Sequence, residues 1–160
     1  MIDESELKKV VKMIVTAFKS GHNLMVAGNG GSAADAQHFV AELICTYKDT
    51  KRRGFPATCL NSNVSVLSAW ANDYGYEGVF ARQIEALGQE GDVFIGITTS
   101  GKSKNILEAV KMCHSKRIHT YLITGKTFHL KDTPRIQENT IFFIHEICDL
   151  VERIMKRGDI

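Results

Sequence analysis

The sequence predicts an α/β fold in three layers, α/β/α, with a central parallel sheet of four or five strands covered by helices on both faces. Three observations carry that prediction. Short apolar runs alternate with longer stretches of helical periodicity along the whole chain. Two of those runs break into loops rich in glycine or hydroxyls and resume at once as helices. Finally, 13 glycines against only 2 prolines point to tight strand-to-helix turns more than to linkers.

The first helix is marked by Leu7, Val10, Val11, Ile14 and Phe18, with Lys8, Lys9, Lys12 and Lys19 off that stripe, so it covers a sheet with one face. Residues 24–27 form the first strand, broken at Gly28-Asn29-Gly30-Gly31-Ser32 and followed by a helix from Ala33 to about Tyr47. A basic loop over 48–54 leads to a second strand at 56–60, then to helical stretches at 64–71 and 79–87. The continuous, β-branched run 93–97 is the third strand; it enters Thr98-Thr99-Ser100-Gly101-Lys102-Ser103 before a helix over about 105–116. A fourth strand at 119–124 ends at Gly125, and Thr133-Pro134 supplies an N-cap and a first-turn proline for a long C-terminal helix. No linker, repeat or low-complexity stretch divides residues 1–160, which read as a single domain; at 44% apolar and 24% charged the chain can bury a full core.

Composition excludes several classes of function. A formal net charge of +2 is too small to mark a nucleic-acid or anionic-membrane surface. The apolar runs fall far short of the roughly 20 residues of a bilayer span, and MIDESELKK lacks the apolar core of a signal peptide. The expectation is a cytoplasmic protein with no membrane and no nucleic-acid partner. Cys45, Cys59, Cys113 and Cys148 are dispersed without a CxxC pair, which predicts reduced thiols and neither a disulfide framework nor a cysteine zinc site.

Both strand-to-helix loops suit a phosphate, because free backbone N–H groups and the helix dipole meet at such a junction. The first supplies Asn29, Gly30, Gly31 and Ser32, and the second Thr98, Thr99, Ser100 and Ser103. Neither has the spacing of a P-loop or of a dinucleotide turn, which disfavours a nucleoside triphosphate. One glycine-rich turn has an ordinary structural reading; two, the second dense in hydroxyls, favour a phosphate site.

His38 and Glu42 stand four residues apart on the helix after the first loop and share a face pointing away from Ala36, Phe39, Val40, Leu43 and Tyr47. The pair reads either as a solvated ion pair or as half of a zinc-type site with open positions for substrate. On the C-terminal helix Ile136, Phe143, Ile144, Ile147, Cys148, Leu150, Val151 and Ile154 spread over about half the circumference, wider than a helix touching one neighbour needs. Burial by its own sheet and by another subunit is therefore expected. Gln137 falls within that arc and His145 at its edge, each needing a hydrogen-bond or metal partner if buried. The eight residues between them span about 12 Å, so a shared site calls for extended side chains or two chains.

Three stretches now carry a resemblance. GNGGSAADAQHFVAEL, ANDYGYEGVFARQIEALGQEGDVFIGITTSGKSKNILEA, and TPRIQE with a histidine eight residues after its glutamine closely resemble the phosphoheptose isomerases of the flavodoxin-like SIS (sugar isomerase) fold. The similarity runs from about Lys12 to Glu152. It implies conversion of sedoheptulose 7-phosphate to D-glycero-D-manno-heptose 7-phosphate, the first step towards the heptose of bacterial surface polysaccharides such as lipopolysaccharide. It also implies a cytoplasmic homotetramer with sites between subunits and one zinc ion per subunit. Carried over by position, the zinc ligands fall on His38, Glu42, Gln137 and His145. The phosphosugar contacts fall on Asn29, Gly30, Gly31, Ser32, Glu42, Asn72, Asp73, Thr98, Thr99, Ser100, Ser103 and Gln137. Glu42 and His145 are then the acid–base pair and the metal stabilises the enediolate.

The chain also departs from the family's pattern. Thr46 stands where the family has a basic residue reaching the substrate, with Lys48 and Arg52 the nearby candidates to replace it. Pro134 stands where an acidic residue often precedes RIQE. Between Gly125 and Thr133 only seven residues replace a glycine-rich turn, a short helix and a strand, and one N-terminal helix replaces two. Two other readings share these motifs: a non-enzymatic SIS-fold regulator that binds the replication initiator, and a sugar-phosphate sensor. The regulators lack the full acid–base set, so the presence of both Glu42 and His145 favours the isomerase. The basic residues Lys48, Lys51, Arg52 and Arg53 read as a solvated loop.

Overall fold

A computed structural model of the chain describes residues 3–157. Four strands, β1 (Leu24–Gly28), β2 (Ala57–Cys59), β3 (Val93–Ile97) and β4 (His119–Ile123), form one parallel sheet in the order β2-β1-β3-β4. The helices are α1 (Glu4–Lys19), α2 (Gly31–Ile44), α3 (Val64–Tyr74), α4 (Val79–Leu87), α5 (Lys104–Ser115) and α6 (Thr133–Arg157).

Every residue of β1 and β3 is buried, which is why both read as unbroken apolar runs rather than as alternating ones. The pleat then sorts their side chains between two cores. Leu24, Val26, Val93, Ile95 and Ile97 pack with α1, α2 and α6. Met25, Ala27 and Phe94 pack with α4 and α5, and Leu67 and Trp70 of α3 lie against that second core. The three layers follow from that sorting.

The chain leaves β1 for α2 and the β2 edge, and leaves β3 for α5 and the β4 edge. Connections therefore diverge between β1 and β3, and the loops after these two strands open on the same crevice at their carboxyl ends, the usual ligand position of such sheets.

Several expected boundaries shift for identifiable reasons. α2 starts at Gly31 instead of Ala33 and stops at Ile44 instead of Tyr47, because the amides of Tyr47, Lys48 and Asp49 bond to Glu152 rather than continuing the helix. β2 spans three residues, since Pro56 contributes only its carbonyl, to Leu24 N–H. α3 continues past Ala71 to Tyr74 and ends at Gly75, whose φ of 91° a side chain would resist. In α6 the first helical bond runs from Ile136 N–H to the Asp132 carbonyl, so Asp132 is the N-cap, one residue before the expected Thr133. Residues Gly125–Phe128 form a 3-10 turn closed by reciprocal bonds between Thr124 and Thr127, and the described residues contain no fifth strand.

The wide apolar arc of α6 is largely covered within the chain. Ile136, Phe143, Ile144, Ile147, Cys148 and Val151 are buried against α1, α2, the sheet and the 3-10 turn, leaving Phe142 and Ile154 exposed. Most of the breadth of the arc is thus accounted for by α1, α2 and the sheet of the same chain, with Phe142 and Ile154 left uncovered. All four cysteines are free, and among the described residues no helix is long and apolar enough to cross a membrane.

Candidate active site

The first loop is fixed from below. The Asn61 amide accepts from Gly28 N–H at 3.0 Å and donates to the Gly28 carbonyl at 2.9 Å, tying the end of β1 to the segment after β2. Gly30 then turns the chain at φ 56° into α2. The Asn29 amide exchanges two 2.9 Å hydrogen bonds with the Asn105 amide on α5 and accepts a third from the Tyr76 hydroxyl at 3.1 Å. Gly30 and Gly31 are exposed, whereas Ser32 is buried in the first turn of α2.

In the second loop Thr98 is buried and its hydroxyl pairs with that of Ser103 at 2.9 Å. Ser100 is exposed, and its hydroxyl accepts from Lys102 N–H. Thr99 is half-buried, its carbonyl holding Gly125 N–H. The Asn29–Asn105 bridge joins the two loops directly.

His38, Glu42 and His145 converge. The Nε2 atoms of His38 and His145 lie 3.0 Å apart, and His38 Nε2 lies 3.4 Å from Glu42 Oε1. One ligand atom from each of the three falls within 4.8 Å of the others, a set that could hold a metal ion. Donors at 2.0–2.1 Å around a tetrahedral ion stand about 3.3 Å apart, close to the His38–His145 and His38–Glu42 separations of 3.0 and 3.4 Å. Three ligands from one chain leave the remaining positions open.

Gln137, two turns before His145 on α6, reaches the first loop: a Cβ built on Gly31 would stand 2.3 Å from its Nε2. α6 thus runs alongside α2, placing Gln137 at the mouth of the glycine loop and His145 at the His38–Glu42 face. Asn72 and Asp73 are exposed near the end of α3 and hydrogen-bond to each other at 2.8 Å, with no bond to either loop.

Both basic residues near Thr46 are already paired. Lys48 Nζ lies 2.9 Å from Asp149, and the Arg52 side chain, only 8% exposed, pairs with Glu152. This corrects the reading of the whole basic stretch as solvated and removes Arg52 as a substitute for the family's basic substrate contact.

Asn61, Asn105, Tyr76 and Asp35 belong to this region and carried no signal in the sequence. Asp35, one turn before His38, is 7% exposed with one carboxylate oxygen unpartnered. Burial pushes its pKa up to about 6, although the charge of His38 opposes the rise. Only its place among apolar neighbours on α2 could have drawn attention to it.

Comparison with known proteins identifies the family. The SIS domain model matches residues 2–125. The phosphoheptose isomerase of Geobacter metallireducens is 46% identical, over 88% of this chain and 81% of that protein. That of Helicobacter pylori is 44% identical, over 94% and 84%. Among solved structures, a phosphoheptose isomerase from Neisseria gonorrhoeae superposes with a TM-score of 0.80 at 37% identity, covering 94% of this chain and 91% of that one. One from Francisella tularensis gives 0.85 at 31% identity, covering 92% and 85%. This chain therefore belongs to the phosphoheptose isomerase family of SIS-domain proteins.

Proposed function

We propose that the chain is a cytoplasmic, metal-dependent isomerase that converts sedoheptulose 7-phosphate to D-glycero-D-manno-heptose 7-phosphate, supplying heptose for surface polysaccharide. The observation that carries the reading is the meeting of His38 and Glu42, on the helix that the glycine loop opens, with His145 of α6. A carboxylate and an imidazole at one point are what an aldose–ketose exchange needs to move a proton between C1 and C2.

In this reading the backbone amides at Gly30 and Gly31 and the hydroxyls of Ser32, Thr98, Thr99, Ser100 and Ser103 bind the phosphate and orient the sugar. Asn29, held by Asn105 and Tyr76, presents a fixed amide to the sugar hydroxyls. Asn72 and Asp73 contact the chain of the substrate, and Gln137 does so from α6. Glu42 takes the proton from one carbon and returns it to the next, while His145 exchanges the proton of the neighbouring oxygen. One zinc ion per subunit, held by His38, Glu42, Gln137 and His145, would supply positive charge to the developing enediolate. We assign the assembly as a homotetramer; the exposure of Val64 and Tyr74 on α3, above 70% each, supports a covered α3 face.

Purified protein incubated with sedoheptulose 7-phosphate and followed by NMR should form the aldose, stop when a chelator strips the metal, and resume when zinc is restored. No turnover with zinc restored would overturn the enzyme reading in favour of a sugar-phosphate sensor.

A further inference from the structure

Arg52, in the loop after α2, and Glu152, on α6 about two turns beyond His145, form a buried ion pair that the proposed chemistry does not use. Arg52 Nε donates to Glu152 Oε1 at 2.5 Å. Its two terminal nitrogens donate to the carbonyls of Glu42 and Leu43, the latter at 2.9 Å, while the guanidinium lies over the Phe55 ring at 4.3 Å. The other side of the pair is equally occupied: the Glu152 carboxylate accepts the N–H groups of Tyr47, Lys48 and Asp49 at 2.9–3.0 Å. Tyr47 in turn stacks on the His145 imidazole, with ring centres 5.6 Å apart and planes inclined by 27°.

One ion pair therefore grips the backbone of Glu42 on one side and, on the other, the residue whose ring stacks against His145. Burial alone would raise the Glu152 carboxyl, but Arg52 and the three amides outweigh it and hold the group ionised, below the usual glutamate range. Buried ion pairs are weak sources of stability, and apolar residues of similar volume often serve as well. A guanidinium fork serving two carbonyls and a carboxylate at once, by contrast, fixes orientation, and a lysine cannot reproduce it.

We propose that Arg52 and Glu152 are positioning residues that set the Glu42 carboxylate and the His145 imidazole against each other, a role that rests on the isomerase reading. Neither touches substrate; both act through Glu42 and through Tyr47.

The test uses the full chain with Glu152→Gln, Arg52→Lys, and the double variant Arg52→Met with Glu152→Gln, which leaves no unpaired charge and so guards against simple unfolding. In folded variants kcat should fall about 10- to 100-fold while KM stays within about threefold, the loss expected when support for a metal or acid–base group is removed. The double variant should regain thermal stability relative to Glu152→Gln without regaining kcat. A second readout needs neither metal nor turnover: the His145 ring resonance of the metal-free protein, set partly by the Tyr47 ring current, should move in each variant. Wild-type kcat in a destabilised but folded variant, or an unmoved His145 resonance in all three, overturns the positioning role. A wild-type protein that never turns over sinks the isomerase reading instead, and the His145 resonance then decides whether the pair holds the imidazole.

Discussion

His38 and His145 are separated by 107 positions in the chain, yet their Nε2 atoms face each other at 3.0 Å. Two ring nitrogens that close share a proton or point their lone pairs at one cation, and the Glu42 carboxylate 3.4 Å from His38 Nε2 favours the cation. His38→Ala removes one donor from the set. Zinc binding, measured by competition with a chromophoric chelator, should weaken by at least about 100-fold. Equal affinity in the variant would show that the two imidazoles merely hydrogen-bond.

Glu42→Gln tests the acid–base assignment when it is assayed at saturating zinc with bound metal measured, since Glu42 is also a proposed ligand. The amide keeps an oxygen that can ligate but cannot accept the carbon-bound proton. Turnover should drop by about 10²- to 10⁴-fold with the circular dichroism spectrum unchanged. Near-native activity would move the base elsewhere.

Gly31→Ala separates function from stability by giving them opposite signs. Gly31 opens α2 with an ordinary backbone angle, so alanine should gain up to about 1 kcal/mol of helix propensity. Its Cβ, however, would stand 2.3 Å from Gln137 Nε2 and push that amide out of the loop. Loss of one such hydrogen-bonding group is worth about tenfold in KM. The expected pattern is an unchanged or slightly raised Tm with weaker substrate binding. A fall in Tm with KM unchanged would mean that Gln137 only packs there.

What the sequence made legible follows the range of the interactions involved. β3 is found at residues 93–97 as read, because a strand buried on both faces is recorded locally as continuous apolar residues. His38 and Glu42 were legible as a pair because one helix sets their spacing. Their union with His145 depends on α6 lying alongside α2, which no local pattern encodes. The end of α2 was misplaced for the same reason: apolar residues through Tyr47 keep helical periodicity, and only Glu152, about a hundred residues away, takes the amides that would have extended the helix. Asn61 and Asn105 read as ordinary polar residues until the fold supplies Gly28 and Asn29 as their partners.

Asp35 gives the metal-free protein a definite pH dependence. Its carboxyl titrates near 3.8 in the unfolded chain and is pushed up to about 6 in the fold, first by burial, with His38 opposing. The folded state thus holds this proton more tightly than the unfolded state does. Stability is greatest below the unfolded value, falls as pH rises from about 4 to about 6, and stays lowered above that. The two values differ by an amount worth about 3 kcal/mol, an upper estimate where solvent reaches part of the group. Asp35→Asn preserves the shape of the protonated carboxyl and removes the ionisation. With chelator present, urea midpoints of variant and wild type should coincide near pH 4 and diverge towards neutrality, with the variant the more stable. A variant less stable than wild type near neutral pH would mean that the ionised Asp35 has a partner in solution that outweighs its burial.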